Sequence, residues 1–355
     1  LMPGFIAVHT HPDISAYLYD FVDLSGFSNK SPEDVWQKLK VAIANTPKGQ
    51  WIFCKGFDPM LIPGLEAPNI KQLDDMAPDN PVAIIAQSLH SAWGNSLAFE
   101  EAGITENTPD PTPGSFYEKD DSGKLTGFIS EVEAIRPFSE IAVKVFDIKG
   151  NVVKVFNDYV KNGYTSITTM GVLAKDSKPF MLYEYLSSHH PKLSHRMLDV
   201  AGMLPDKRNT LRHFVYIQHN TPFLFPKSVD NGDDFFKVLG LKMWYDGSPY
   251  TGSMYLKEPY LNSDLMNKGL NIPLNHRGKS VIDKKLFYET VKKYHDLGWQ
   301  VSVHSQGDQS TKEVLDIMEE IIAITPDKDQ RHRIEHGVLL PPELLGKFKE
   351  LNMTA

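Results

Sequence analysis

The sequence predicts an α/β protein with a parallel sheet, because strand-like and helix-like segments alternate over its second half. The strand candidates that open this alternation are Tyr164 to Met170, His195 to Met203 and Leu239 to Tyr245. Strands that alternate with helical segments indicate βαβ units, in which neighbouring strands run parallel. The remaining evidence for the class comes from helices with defined boundary signals and from histidines that end several of the strands.

Two helices have clear boundary signals. Ser31-Pro32-Glu33 offers an N-cap followed by proline at the first helical position. Asp283 can cap a later helix, which Gly298 would end. The alternation then continues through four further segments, which are a strand from Trp299 to His304, a helix around Val314 to Ile322, a short strand near Ile334 and a helix from Leu344 to Leu351.

The regular alternation breaks down between about residues 14 and 155. Stretches rich in Pro and Gly, such as Pro59 to Pro68, interrupt shorter strands and helices there. We interpret this segment as an insertion that follows the first strand.

Composition excludes several classes of protein. With 355 residues and 41% hydrophobic side chains, the chain can bury one large core or two ordinary ones. Its net charge of -8 argues against binding to nucleic acid, which needs a surplus of Lys and Arg. Cys54 is the only cysteine, so neither an internal disulfide nor a thiolate-rich metal cluster is possible.

No apolar run reaches the length of roughly 18 residues that a membrane-spanning helix requires, and no signal segment opens the chain. We therefore expect a soluble protein located in the cytoplasm. An apolar strand begins directly at Leu1-Met2-Pro3-Gly4, which suggests that the native amino terminus lies upstream.

The sharpest local signal is the pair His9 and His11, which lies in an apolar strand. Strand residues two apart project from the same face, so the two imidazoles are aimed at one point. Two neutral imidazoles at a strand end make half of a metal site. The alternative is that one or both are ordinary polar residues at the end of a strand.

Two more histidines end later strands and strengthen the metal hypothesis. His304 closes Val301-Ser302-Val303, and His336 closes Arg333-Ile334-Glu335. In a parallel α/β barrel, catalytic groups gather at the carboxyl ends of the strands. The other histidines that we considered are assigned ordinary roles, with His295 expected to be solvated; they are His189, His190, His195, His219, His276, His295 and His332.

Lys242 is unusual because Leu, Met and Trp flank it on a predicted strand. Burial of an ammonium group costs several kcal/mol unless a partner compensates it. One interpretation is a surface lysine whose amine reaches solvent. The other is a buried, deprotonated amine that reacts with carbon dioxide to give a carboxylate bridging two metal ions.

Three residues are candidates for substrate binding. His90 and Trp93 lie in the insertion and could line a pocket, although a packed core of the insertion explains them equally well. Asp246 follows the strand of Lys242 and is either structural or close to the substrate. Asp308 has a similar position, and we assign neither aspartate the role of general base.

Together, these residues and the stretches around them resemble the amidohydrolase superfamily. Within it, the chain is most similar to amidohydrolase family 3, the YtcJ-like group that includes N-substituted formamide deformylases. The resemblance covers nearly the whole chain. Its most specific stretches are Pro3 to His11, Leu73 to Val82 with His90 to Asn95, Gly123 to Glu131, Lys242 to Ser248, His304 to Asp308 and Arg333 to His336. Ala7 and Ser305-Gln306 depart from the residues common in the family.

The resemblance implies a distorted TIM (β/α)8 barrel. Residues 1–13 would form strand 1 with the metal motif, residues 14–155 an insertion over the barrel mouth, and residues 156–355 strands 2 to 6 with their helices. Strands 7 and 8 and the family's small β-sandwich are largely missing from this sequence. We therefore expect the sequence to be part of a longer protein.

The resemblance also implies the site. His9 and His11 would bind one divalent metal ion, His304 and His336 a second, and carboxylated Lys242 would bridge them. Zinc suits these ligands, although Mn, Fe, Co and Ni accept them too, and the number of ions, one or two, stays open. The family's catalytic aspartate, at the end of strand 8, would lie beyond Ala355, so the catalytic base is unknown.

The predicted function is therefore hydrolysis of an amide-type C–N bond by metal-activated water. A metal-dependent phosphoesterase is one alternative, and a catalytically decayed barrel that acts as a binding protein is another. The expected partner is a small-molecule substrate, not nucleic acid or a membrane, and a homodimer is left open.

Overall fold

The computed structural model describes residues 2–111, 115–172, 177–190, 192–205, 211–270, 272–326 and 329–355. The strands in the described residues are β1 (Phe5–Thr10), β2 (Val22–Asp23), β3 (Ile52–Phe57), β4 (Val82–Ala86), β5 (Ser91–Gly94), β6 (Phe116–Lys119), β7 (Leu125–Ser130), β8 (Tyr164–Met170), β9 (Arg212–Gln218), β10 (Phe236–Trp244), β11 (Gln300–Ser305) and β12 (Arg333–His336).

The α-helices of the same residues are α1 (Pro12–Tyr17), α2 (Pro32–Asn45), α3 (Ile70–Met76), α4 (Ser96–Glu101), α5 (Val132–Val145), α6 (Ile148–Lys161), α7 (Lys178–Ser187), α8 (Leu193–Val200), α9 (Lys284–Asp296), α10 (Asp308–Ile324) and α11 (Leu345–Glu350). None of the helices in this part of the chain is both long and apolar enough to cross a membrane.

The chain divides into two compact units, one formed by Leu1–Ser15 with Val152–Ala355 and the other by Ala16–Asn151. The first unit contains a six-stranded sheet in the order β1-β8-β9-β10-β11-β12, in which every neighbouring pair is parallel. α7 and α8 lie between β8 and β9, α9 between β10 and β11, and α10 between β11 and β12, which confirms the predicted α/β class with a parallel sheet.

The sheet of the first unit is strongly curved. Its outer strands β1 and β12 are separated by four others, so a flat sheet with about 4.8 Å between strands would hold them some 24 Å apart. Nevertheless the side chain of His9 on β1 lies 2.6 Å from that of Glu335 on β12. Curvature therefore brings the two outer strands within side-chain reach across the concave face. Closure of this sheet into an eight-stranded barrel stays a proposal.

The second unit contains a mixed sheet in the order β2-β3-β4-β5-β7-β6. β2, β3 and β4 are parallel, whereas β5, β7 and β6 pair antiparallel. Two apolar clusters pack on this sheet, one around Phe53 and Phe138 and the other around Leu39 and Ile84.

The predicted helix boundaries at α2 and α9 are confirmed. Ser31 accepts a hydrogen bond from the Asp34 amide while the Asp34 carboxylate accepts one from the Ser31 amide, which is a complete capping box. Asp283 caps α9 through the Leu286 amide at 3.0 Å. The backbone turns at Gly298, whose φ of +84° glycine adopts without strain.

One secondary-structure expectation is wrong. His195 to Met203 is not a strand, because Leu193–Val200 forms α8, in which Leu and Met favour a helix. The third strand of the sheet is instead β9, whose Phe214-Val215-Tyr216-Ile217 centre carries the β-branched and aromatic residues that strands favour. Polar residues at both ends of β9 obscure the pattern in the sequence.

Candidate functional site

The candidate site is built on the concave face of β10, β11 and β12. Register places Lys242, Ser302 and Arg333 in one row across these strands, and Trp244, His304 and Glu335 in the next. The alternate residues, Met243, Val303 and Ile334, are buried on the opposite face. Because strand side chains alternate between faces, the same strands pack their apolar residues on one face and present the polar residues of the candidate site on the other.

The four predicted metal-binding histidines lie in one group. The Nε2 atoms of His9 and His11 are 3.2 Å apart. The ring of His336 lies with its centroid 4.8 Å from that of His9 and 4.6 Å from that of His304. The fold thus brings together imidazoles that are separated by more than 300 residues along the chain, as His9 and His336 are.

His336 reaches this group through an unusual backbone conformation. Regular alternation along β12 would send His336 to the opposite face from Glu335. The φ of His336 is +78°, in the left-handed region that residues other than glycine rarely adopt. Both Glu335 and His336 consequently lie beside His9 on the concave face.

Lys242 is 1% exposed, which is inconsistent with the surface-lysine interpretation. Among the residues that the structure describes, its Nζ atom has no hydrogen-bond partner, and it lies 5.2 Å from the centroid of the Trp244 ring. Burial lowers the pKa of Lys242 to about 7, although the negative charge of Glu335 acts to raise it. A large fraction of the amine is therefore neutral and nucleophilic near neutral pH.

Two of the four histidines, His11 and His336, are in the protonation state that metal binding requires. Burial, together with the neighbouring His9 and Lys242, lowers the pKa of His11 to about 3. The same causes lower the pKa of His336 to about 4. Both rings are neutral at pH 7 and have a free lone pair for a metal ion.

Glu335 is the residue at this site that sequence analysis did not single out. Its carboxylate accepts hydrogen bonds from His9 Nδ1 at 2.6 Å and Ser302 Oγ at 2.8 Å, and pairs with Arg333. Burial would raise its pKa, but His9, Arg333 and Lys242 lower the pKa to about 2. The sequence feature that could have revealed Glu335 is an acidic residue inside the buried strand Arg333–His336, because a buried carboxylate needs hydrogen-bonding or charged partners.

The donor set fits a divalent metal ion. Two imidazole nitrogens bound to one tetrahedral ion at about 2.0–2.1 Å would lie roughly 3.3 Å apart, close to the separation of the His9 and His11 Nε2 atoms. The orphaned Nζ of Lys242 points to a further group at this site. Within the described ranges, however, no three His, Cys, Asp or Glu side chains are already arranged as a metal site.

Asp246 is completely buried and holds the loop between β11 and α10. One of its oxygens accepts from the Gln306 amide, and the other accepts from the amides of Gly307 and Tyr255 and from Ser310 Oγ, all within 3.0 Å. His304 Nε2 lies 4.0 Å from the same carboxylate. A direct contact of Asp246 with substrate stays a prediction.

His90 and Trp93 belong to the second unit. The Nδ1 atom of His90 lies 2.7 Å from the Glu131 carboxylate. Trp93 is buried between Phe57 and Phe128, as the alternative of a packed core predicts. Their role in substrate binding also stays a prediction.

Two histidines assigned ordinary roles differ from expectation. His295 is not solvated but 2% exposed, because its ring bridges His332 and the Thr325 carbonyl oxygen. His219 directly follows β9, so it lies at the carboxyl edge of the sheet, and its buried Nδ1 has no hydrogen-bond partner within the described part of the chain. Its position was hidden because β9 itself was missed.

Sequence comparison identifies the family to which this constellation belongs. A sequence model described as the amidohydrolase family matches residues 1–355. The chain belongs to the amidohydrolase family. The predicted resemblance is thereby confirmed.

Three curated relatives of this amidohydrolase chain are each 25% identical to it. They are Protein LONG AFTER FAR-RED 3 of Arabidopsis thaliana, matched over 100% of this chain and 58% of the relative, N-substituted formamide deformylase of Arthrobacter pascens, over 96% and 59%, and the putative amidohydrolase YtcJ of Bacillus subtilis, over 97% and 60%. The chain spans about three fifths of the length of these relatives.

A solved structure shares the fold. The crystal structure of an uncharacterized metal-dependent hydrolase from Pyrococcus horikoshii superposes with a TM-score of 0.64 at 24% identity, over 99% of this chain and 62% of that one.

Proposed function

We propose that this chain forms the metal-binding part of a hydrolase that cleaves an amide-type C–N bond. The observation that carries the proposal is the group of four imidazoles, from His9, His11, His304 and His336, beside the unpaired buried amine of Lys242. Membership of the amidohydrolase family supports the reaction class. We also propose that the curved sheet corresponds to the first six strands of a (β/α)8 barrel.

In this proposal His9 and His11 would hold one divalent ion, His304 and His336 would hold a second, and carboxylated Lys242 would be a further ligand. Zinc suits imidazole and oxygen ligands. A bound ion would supply Lewis acidity, which lowers the pKa of water towards 7 and polarises a substrate carbonyl. The ligand residues provide orientation, since each is fixed on a strand or directly after one.

Lys242 would serve as a ligand after carboxylation. Its neutral amine attacks carbon dioxide to form an N–C bond, one C=O π bond becomes the carboxylate's second C–O⁻, and the nitrogen releases one proton to water, which leaves a carbamate. Burial favours this step because it keeps the amine unprotonated, with the pKa at about 7. The carbamate also replaces an uncompensated buried amine with an anionic group that metal ions stabilise.

The substrate proposed is an amide with an apolar substituent. One relative is named an N-substituted formamide deformylase. Trp244, Tyr250 and Tyr255 follow or end β10 and offer aromatic surface near the site. His90 and Trp93 are proposed to contribute to substrate binding, and Asp246 to do so through the loop that it holds.

Metal content and turnover test the function. We would purify the 355-residue chain without added metal, measure its transition metals, and then titrate zinc into the wild type, His9→Asn and a control, His190→Asn, whose ring is exposed. We expect at least one equivalent of metal in the wild type and in the control, and much weaker zinc binding in His9→Asn. Less than about half an equivalent, with no uptake on titration, would contradict the metal site.

A hydrolysis panel with the zinc-loaded chain separates the function classes. N-substituted formamides, carboxylic esters and phosphoesters would be compared, using the full-length protein wherever the gene extends further. Turnover of formamides supports C–N hydrolysis. Turnover of phosphoesters alone, or tight metal binding without any turnover, would overturn the proposed reaction.

Carboxylation of Lys242 has its own measurement. ¹³C-bicarbonate added to the zinc-loaded protein should give a carbamate carbon signal, and Lys242→Met should lack it. Lys285→Met, which changes an exposed lysine, should keep it. A wild-type spectrum without the signal would contradict the carbamate while leaving the histidine site untouched.

A further inference from the structure

We propose that Glu335 is a positioning residue that fixes the His9 ring, so that its Nε2 atom faces the candidate metal site. The inference rests on the proposed function only in taking the ligand of His9 to be a metal ion. Glu335 Oε2 lies 2.6 Å from His9 Nδ1, although the two residues are 326 positions apart. The contact joins β1 to β12 across the concave face.

The Glu335 carboxylate is itself held rigidly. Its Oε1 accepts a hydrogen bond from Ser302 Oγ at 2.8 Å and forms an ion pair with Arg333 Nε, also at 2.8 Å. Its Oε2 accepts a bond from Arg333 Nη2 at 3.0 Å in addition to that from His9. With both oxygens engaged and the residue 4% exposed, the carboxylate has little freedom to turn away from His9.

The charge of this group determines the tautomer of His9. An ionised carboxylate only accepts hydrogen bonds, so the proton of a neutral His9 ring must lie on Nδ1. The lone pair then lies on Nε2, which is the atom 3.2 Å from His11 Nε2. A histidine that donates from one nitrogen to a carboxylate presents the other nitrogen to a metal ion in a fixed orientation, and loss of such a partner weakens metal binding about 10–100-fold.

The backbone of β12 supports the same assignment. The left-handed conformation at His336 allows consecutive residues to approach His9 from two sides, Glu335 by a hydrogen bond and His336 by ring contact. A strained conformation at a residue other than glycine persists where the surrounding structure enforces it, and such positions cluster at functional sites. A carboxylate needed only to neutralise Arg333 would not require this arrangement around His9.

The first test uses the metal-free wild type and needs no variant of Glu335. ¹⁵N-histidine NMR in the presence of a chelator reports which ring nitrogen carries the proton, and the His9 signals are assigned by their loss in His9→Asn. We expect His9 in the Nδ1–H form with a strong hydrogen bond. A His9 ring with its proton on Nε2 would overturn the inference.

The second test measures zinc affinity by competition with a chromophoric chelator. Glu335→Gln removes the charge at nearly constant shape, and Glu313→Gln is a matched control, because the Glu313 carboxylate accepts hydrogen bonds from tyrosine hydroxyls. We expect about 10–100-fold weaker zinc binding in Glu335→Gln and less than 2-fold in the control. Affinity of Glu335→Gln within 2-fold of the wild type would refute the positioning role.

The two tests also separate this inference from the proposed function. If the wild type binds no metal, the function proposal fails, and the NMR result alone decides the role of Glu335. If Glu335→Gln does not fold, as its unfolding transition in chelator would show, the wild-type NMR spectrum again decides. Ser302→Ala, which leaves the His9 contact in place, should weaken zinc binding less than Glu335→Gln does.

Discussion

Replacement of Lys242 by methionine should stabilise the metal-free chain, and the stabilisation should shrink as pH rises. The lysine is 1% exposed and its Nζ has no hydrogen-bond partner in the described ranges, so its charged form is unfavourable in the folded state. Its pKa is about 7 in the folded chain, against a reference value of 10.5. A group whose pKa is lowered by folding reduces stability as pH falls from the unfolded value towards the folded one.

Linkage gives the magnitude. At pH 7.5 the lowered pKa costs about 4 kcal/mol of unfolding free energy, and at pH 9.5 about 1.4 kcal/mol. Lys242→Met removes this cost at both pH values, while any packing difference between the two side chains is the same at both. The advantage of the variant should therefore fall by about 2.5 kcal/mol between pH 7.5 and pH 9.5. His11 and His336 are neutral throughout this range and do not contribute.

Urea unfolding in degassed, bicarbonate-free buffer with a chelator measures the difference. Equal slopes against urea for wild type and variant check that the same surface unfolds in both. Lys285→Met is the control, since an exposed lysine in a surface pair should show little change with pH. A stability difference for Lys242→Met that does not change by at least 1 kcal/mol between the two pH values would refute the reasoning about the buried amine.

Three further changes test other parts of the structure. His213 is fully buried, and burial lowers its pKa to about 3, so below pH 6.5 protonation of the unfolded chain at this residue reduces the unfolding free energy of the wild type. On going from pH 7.5 to 5.5, His213→Gln should lose about 1.4 kcal/mol less unfolding free energy than the wild type. An equal loss in both, measured by urea unfolding without metal, would contradict this. Asp246→Ala should lower the unfolding free energy by about 3 kcal/mol or more, because it leaves buried hydrogen-bond donors of the β11–α10 loop unpaired, and Asp246→Asn should lower it less. Equal stability of Asp246→Ala and the wild type would exclude the role of Asp246 in holding the loop. Ser31→Ala should reduce the unfolding free energy by about 1 kcal/mol through loss of the α2 capping box, whereas substitution of the exposed Lys48 should have little effect. An unchanged unfolding free energy for Ser31→Ala would show that the cap does not contribute.

The amino-acid sequence by itself determined the local elements and the types of residue at the site. The caps at Ser31 and Asp283 could be predicted, as could the strands that carry His304 and His336 near their carboxyl ends, because capping and strand alternation depend on residues close together in the chain. β9 could not, since its polar ends resemble a loop until the neighbouring strands β8 and β10 cover it.

Only the tertiary structure decided which of these residues meet. Curvature of the sheet brings β1 against β12, and this contact makes Glu335 a partner of His9. Burial of Lys242 and of His295 likewise depends on segments that are distant in sequence. Hydrogen bonds and desolvation act over a few ångströms in space, so the chemistry of an isolated residue type cannot specify them until the chain has folded.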